Sequence, residues 1–202
     1  MLVHPWDAAV PAEWLKWLPD FGQLIATGRD RDYPVVTPAH FVLDGDRTIW
    51  LHLARPNPIW AAFDENPRAL LSVVGDYTYI PSDWNTLDDP ALGVPTSYYA
   101  TVQFECEVTV IDDPAAKAEL LNRQLNHFEP DGGRTPLDAE DRLLKGIRGI
   151  ELSIINVRAK FKYGGNKTVE HRVVIGERLA GRDGPMDQAA ARHLGERLTQ
   201  PQ

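Results

Sequence analysis

The amino-acid sequence predicts a mainly β, α+β protein: an antiparallel β-barrel with peripheral and C-terminal helices. Three observations predict the antiparallel barrel. Residues 98–111, YYATVQFECEVTVI, alternate apolar and polar positions, as a strand with one buried face requires. Several other strand-like runs are separated by Gly, Pro and Asp clusters. Helix-periodic stretches are concentrated in one insert and in the tail, which suits an antiparallel barrel better than alternating βαβ units.

Taken in order, residues 12–27, AEWLKWLPDFGQLIAT, begin as a short amphipathic helix, break at Pro19 and pass into a strand. Residues 33–54 read as two strands joined at Asp44-Gly45-Asp46, a cluster that suits a hairpin. NPIWAAFDENP (57–67) is a short helix fenced by prolines, and RALLSVVGDYTYI (68–80) another strand. Within 98–111, Ala100, Val102, Phe104, Cys106, Val108 and Val110 share the apolar phase, so Cys106 reads as a small buried filler and not as a nucleophile. Asp113-Pro114 opens a helix with Ala118, Leu121, Leu125 and Phe128 on one face. DAEDRLLKGI (138–147) reads as a second helix, giving a helical insert over about 114–147. A strand then runs through GIELSIINVRAKFKYGG, and a helical tail covers about 168–200. The whole, 1–202, is expected to be one domain.

Composition excludes several function classes. No run of eighteen apolar residues is present and the N-terminus lacks the pattern of a secretory signal, so a cytoplasmic protein with no membrane association is expected. One cysteine excludes an internal disulfide. The six histidines show no HExxH or other close ligand spacing, so no metal is expected; Ser82 and Ser97 lack the GxSxG elbow, and no catalytic residue stands out. A net charge of −8 opposes direct nucleic-acid binding. The exception is the stretch 142–182, with ten Lys/Arg against three Glu.

Two stretches carry chemistry. LHLARPNP (51–58) delivers His52, Arg55 and Asn57 to the break after a strand. Either this is a solvated turn or it is a cradle for an anion. On the strand 155–163, Asn156, Arg158, Lys160 and Lys162 share one face, with successive side chains ~6.6–7 Å apart. Such a row needs solvent, acidic neighbours such as Glu105 and Glu107, or an anionic ligand. In YGGNK (163–167) two glycines permit close backbone approach, and Asn166 and Lys167 are placed at the opening of the next helix, a further anion site. Neither a Walker loop nor a dinucleotide fingerprint is present.

LHLARPNPIW, YTYIPSDW, VPTSYYATV, GIRGIELSI and KFKYGGNK, in this order, resemble the PaiB-like family of FMN-binding negative transcriptional regulators, within the FMN-binding split β-barrels. The resemblance covers roughly residues 20–180. It implies a homodimer with FMN at the subunit interface. Position by position, it implies that His52, Arg55 and Asn57 match an H-x-x-R-x-N stretch near the flavin phosphate. Lys160, Lys162 and Asn166 match a K-x-K-x-x-x-N motif, and Thr37 a threonine beside the isoalloxazine. Arg would hold a phosphate by its fork and Lys by its point charge. The family's Ser-Gln is replaced by Gly164-Gly165 and its Trp-Asn by Ser97-Tyr98. The expected function is therefore an FMN-binding flavoprotein, with a flavin-dependent oxidoreductase as the enzyme class. The alternatives are a negative transcriptional regulator that binds DNA or senses flavin, a cofactor-free structural homologue, and a split barrel that takes F420.

Overall fold

In the computed structural model, residues 1–198 are described; positions 199–200 of the expected tail lie outside them. The elements, in chain order, are α1 (Pro11–Trp17), β1 (Phe21–Ala26), β2 (Val35–His40), β3 (Val42–Asp44), β4 (Thr48–Ala54), α2 (Ile59–Glu65), β5 (Arg68–Ile80), β6 (Thr96–Ile111), α3 (Pro114–Phe128), β7 (Ile147–Lys162), α4 (Val169–Arg182) and α5 (Asp187–Leu198). The strands form one sheet in the order β2-β1-β5-β6-β7-β4-β3, and the ladders β1–β2, β1–β5, β3–β4 and β4–β7 are antiparallel. No described helix is long and apolar enough to cross a membrane.

The chain forms two compact units. A sheet unit comprises Pro19–Val73 and Gln103–Val157, and a helical unit comprises Met1–Leu18, Val74–Val102 and the chain from Arg158. The long strands β5, β6 and β7 contribute residues to both.

In the sheet unit, β4 alternates as a half-buried strand should: Ile49, Leu51 and Leu53 are buried while Trp50 and His52 lie on the other face. These residues join Leu24, Phe41, Leu71, Val73, Phe104, Cys106, Ile150 and Leu152 among the buried apolar groups. β2, at one end of the strand order, lies against β4, near the other end. No ladder joins these two strands, so the curled sheet stays split where they meet. Burial pushes the Cys106 thiol up to about 12, which keeps it protonated and unreactive.

Three local expectations are corrected. The run 33–44 is two strands, because Phe41 is fully buried and its N–H donates to Asp20 O, turning the chain between β2 and β3. The segment 138–147 contains only a 3₁₀ turn, Arg142–Gly146, capped by Asp141. Strand β7 begins at once after it, and the Lys117 ammonium takes the Leu144 carbonyl at 2.6 Å, satisfying a group that a longer helix would have bonded. Helix α3 therefore buries Lys117, Leu120 and Gln124 as well as Ala118, whereas Phe128 is 41% exposed.

In the helical unit, α4 and α5 pack on each other and bury Ile175, Leu179, Ala190 and Leu194, with Trp14, Phe161 and Tyr163 also buried. In β5 the buried phase changes from Ala69, Leu71 and Val73 to Thr78 and Ile80. The switch falls at Gly75-Asp76, where Asp76 has φ +49°; an extra residue of this kind is a bulge, and it reverses which phase faces the core. Asp76 is held there by hydrogen bonds from the Trp17 indole (2.5 Å) and the His193 ring (2.9 Å) to its carboxylate.

Candidate functional site

The predicted residues fall into two groups, one in each unit. In the sheet unit, the break after β4 is built by Asn57 and two prolines. Asn57 Oδ1 accepts from the Ile59 N–H (3.0 Å) at the start of α2, and from Thr37 Oγ1 at 3.4 Å. Thr37 and Asn57 are therefore brought together. Arg55 turns elsewhere: its guanidinium donates to Asp112 and to the Lys145 and Ile147 carbonyls. Asp112 also accepts two bonds from the Arg148 fork, and Arg148 chiefly, with Arg55, holds its carboxyl below the usual range. His52 Nδ1 lies 2.5 Å from Gln124 Oε1 of α3. All four polar side chains thus have protein partners.

In the helical unit, Lys160, Lys162 and Asn166 are brought together around one cavity of about 330 Å³, lined also by Lys167, Asn85, Thr96, Tyr98, Gly164 and the N-terminal residues His4, Trp6 and Asp7. The basic row is not a wet face here. Lys160 is 8% exposed, donates to the Leu2 carbonyl at 3.0 Å and lies 3.9 Å from the Asp7 carboxylate. Lys162 donates to Thr96 Oγ1 at 2.7 Å and Lys167 to the Asn85 carbonyl at 3.1 Å. Burial pushes the Asp7 carboxyl up, against the pull of Lys160 and Lys162. Asn166 and Lys167 do not open the helix, as was expected: Lys167 N–H closes a turn onto Gly164, and Thr168 caps α4 by accepting from the His171 N–H.

The two departures from the family pattern are physically coupled. Gly164 has φ +67°, and a Cβ there would overlap the Tyr98 hydroxyl. A Cβ on Gly165 would overlap the Trp6 carbonyl oxygen. Tyr98 thus occupies the space that a side chain at 164 would need. Its hydroxyl is buried with no hydrogen-bond partner among the described residues, and burial pushes its pKa up to about 12, so it is a neutral donor at physiological pH.

Sequence reasoning missed the N-terminal contribution. Ala8 bridges Lys160 across an isolated β-pair, and nothing in residues 4–8 signals this. Tyr98 was legible in part, since it shares the apolar phase of β6. An FMN phosphate fits the donor set: three ammonium groups, bonded mainly to neutral oxygens, and the Asn166 amide, beside the Tyr98 hydroxyl. The volume lies within the ~300–1,000 Å³ range of small-molecule pockets.

An antiparallel, split sheet of this order is the architecture of a split barrel. The profile of the family described as "Putative FMN-binding domain" matches residues 7–156. The chain belongs to this family of FMN-binding split-barrel proteins. It is 24% identical over 187 residues to Protease synthase and sporulation protein PAI 2 of Bacillus subtilis, covering 88% of this chain and 87% of that protein. Among solved structures it resembles the flavocytochrome Anf3 from Azotobacter vinelandii (TM-score 0.58, 18% identity, 79% of this chain and 71% of that one). It also resembles the FAD and heme binding protein from Mycobacterium smegmatis (TM-score 0.54, 23% identity, 76% and 71%).

Proposed function

We propose that this protein binds FMN with the phosphate in the lysine cavity of the helical unit, and that it acts as a cytoplasmic flavin-dependent oxidoreductase. The observation that carries the proposal is the convergence of Lys160, Lys162, Lys167 and Asn166 on one cavity. A phosphate dianion is a stronger acceptor than the Leu2 and Asn85 carbonyls and the Thr96 hydroxyl that these lysines now serve. Lysine ammonium groups act there as point charges, and the Tyr98 hydroxyl is a further donor. Bound flavin supplies hydride and electron transfer; the chain supplies binding, orientation and electrostatics. Thr37, His52, Arg55 and Asn57 have protein partners and receive no flavin contact in this proposal.

The same proposal includes a homodimer with the flavin sites at the subunit boundary. Two of the large aromatics are covered within the chain: Trp60 is 6% exposed and lies under the Arg148 guanidinium, and Trp84 lies under Arg182. Support comes instead from Val74, Tyr77 and Tyr79 of β5, exposed by 65%, 56% and 49%. The bulge at Asp76 sets these three in one exposed phase.

The regulator reading receives less support. Within the basic stretch, Arg148 pairs with Asp112 and Arg182 with Asp187, while Arg172 and Lys160 are buried. These cations are not arrayed for phosphate backbones. The test is direct: protein purified, incubated with FMN and desalted should retain flavin absorbance in near one-to-one amount. Protein that stays colourless would overturn the proposal, and a salt-sensitive gel shift on its own upstream DNA would favour the regulator.

A further inference from the structure

A second cavity lies in the sheet unit, between α3 and the outward face of β4. It measures about 350 Å³ and is lined by His40, His52, Leu121, Gln124, Leu125, Phe128 and Glu129. Its character is opposite to that of the lysine cavity, for its walls are mainly the two leucines and aromatic rings. The His40 ring meets His52 edge-to-face at 5.4 Å and Phe128 at 5.2 Å. Such edges and faces suit a flat aromatic guest.

One polar feature is unexplained by the fold. Gln124 is 4% exposed, yet its Nε2 has no hydrogen-bond partner among the described residues. Its Oε1 is engaged by His52 Nδ1, which fixes the amide and leaves the N–H₂ group as an unused donor. A buried donor without an acceptor carries the full cost of its lost hydration. A helix that carries this cost beside an apolar cavity is ready for an acceptor to arrive there. Charge narrows the guest further. Glu129 on the cavity wall disfavours anions, and burial, with His52 close by, pushes the His40 pKa down, so the imidazole is uncharged at neutral pH.

We infer that this cavity binds a neutral, planar aromatic molecule bearing a carbonyl group, with the carbonyl accepting from Gln124 Nε2 and the ring held among Leu121, Leu125, Phe128 and the His40–His52 pair. The site uses none of the lysine-cavity residues and does not depend on the FMN proposal.

A matched pair of probes tests it: 1-tetralone, which has the carbonyl, and tetralin, the same ring system without it. In amide-detected NMR titrations of the full chain, 1-tetralone should shift the Gln124 side-chain N–H₂ signals saturably. It should bind about fivefold more tightly than tetralin, one neutral hydrogen bond being worth ~1 kcal/mol. Gln124→Leu should erase that difference, and Leu125→Trp, which fills the cavity, should abolish binding of both. The shift of the wild-type Gln124 amide is read without any variant, so a variant that fails to fold does not remove the test. Absence of a saturable shift at Gln124, or equal affinity for the two probes, would overturn the inference.

Discussion

Residues 98 and 164 show how two single positions can define one constraint. Tyr98 stands where the resemblance implies Asn, and Gly164 where it implies Ser. The structure joins the two changes, since the Tyr98 hydroxyl occupies the place of a Cβ on Gly164. Gly164→Ser is therefore expected to destabilise the protein, through both this overlap and the positive φ, by about 1–3 kcal/mol. Tyr98→Asn alone should also destabilise, since it empties the space of a ring that is 1% exposed. The double variant should lose less than the sum of the two single variants, because the overlap is gone. Denaturant melts of the two single variants and the double variant measure the coupling; a double-variant loss equal to the sum of the single losses would show that the two positions are independent. The residue types at the candidate site were legible in the sequence: the two lysines of the K-x-K row and Asn166 do line one cavity. The pairing of His52 with Gln124 was not, because the apolar face assigned to α3 placed Leu121 and Leu125 correctly but gave no reason to bury Gln124. An amide buried beside a histidine is decided by tertiary placement, which helical periodicity does not encode.

At the scale of elements, the α4–α5 hairpin depends on one ion pair. Asp187, at the start of α5, is 2% exposed and accepts from Arg182 Nε and Nη2 at 2.7 Å, from Thr78 Oγ1 at 2.5 Å and from the Gly184 N–H at 2.9 Å. The Arg182 guanidinium, with Thr78 and Gly184, holds the carboxyl far below the usual carboxylate range. A depressed folded-state pKa gives stability that is fully present above the unfolded value of ~3.9 and is lost as pH falls toward the folded one. Acid should thus loosen the hairpin below about pH 4. Asp187→Asn should cost roughly 3 kcal/mol at neutral pH, since it strands a partly buried guanidinium, and should flatten the acid limb of the stability curve. Circular-dichroism melts from pH 7 to pH 2 read both effects; a variant with an unchanged acid limb would remove Asp187 as the cause. Elements of this kind were legible where periodicity is long: β6, α3, α4 and α5 all form. Short pieces were misread where a neighbour supplied the missing bonds, as Lys117 does for Leu144. The phase switch in β5 was not read from Gly75-Asp76, although that dipeptide is a bulge signal inside a strand pattern.

For the whole molecule, fold and family agree: an antiparallel split sheet, a matching family profile over residues 7–156, and flavoprotein-like solved structures. The proposed dimer predicts a sedimenting species of twice the chain mass across a wide concentration range. Changing Tyr77 and Tyr79 together to Lys should shift it to monomer, because two like charges would enter an apolar contact. A wild-type protein that sediments as a monomer at every concentration would contradict the dimer. The central claim is that the phosphate of FMN lies among Lys160, Lys162 and Lys167, and the most direct measurement compares FMN with riboflavin by fluorescence titration of the wild type and of Lys162→Ala. Charge-assisted hydrogen bonds are worth roughly 1.5–3 kcal/mol each, so the wild type should prefer FMN, and Lys162→Ala should lose on the order of 10- to 100-fold in FMN affinity while riboflavin binding stays unchanged. Equal losses for the two flavins, or none for either, would contradict the placement of the phosphate in the lysine cavity.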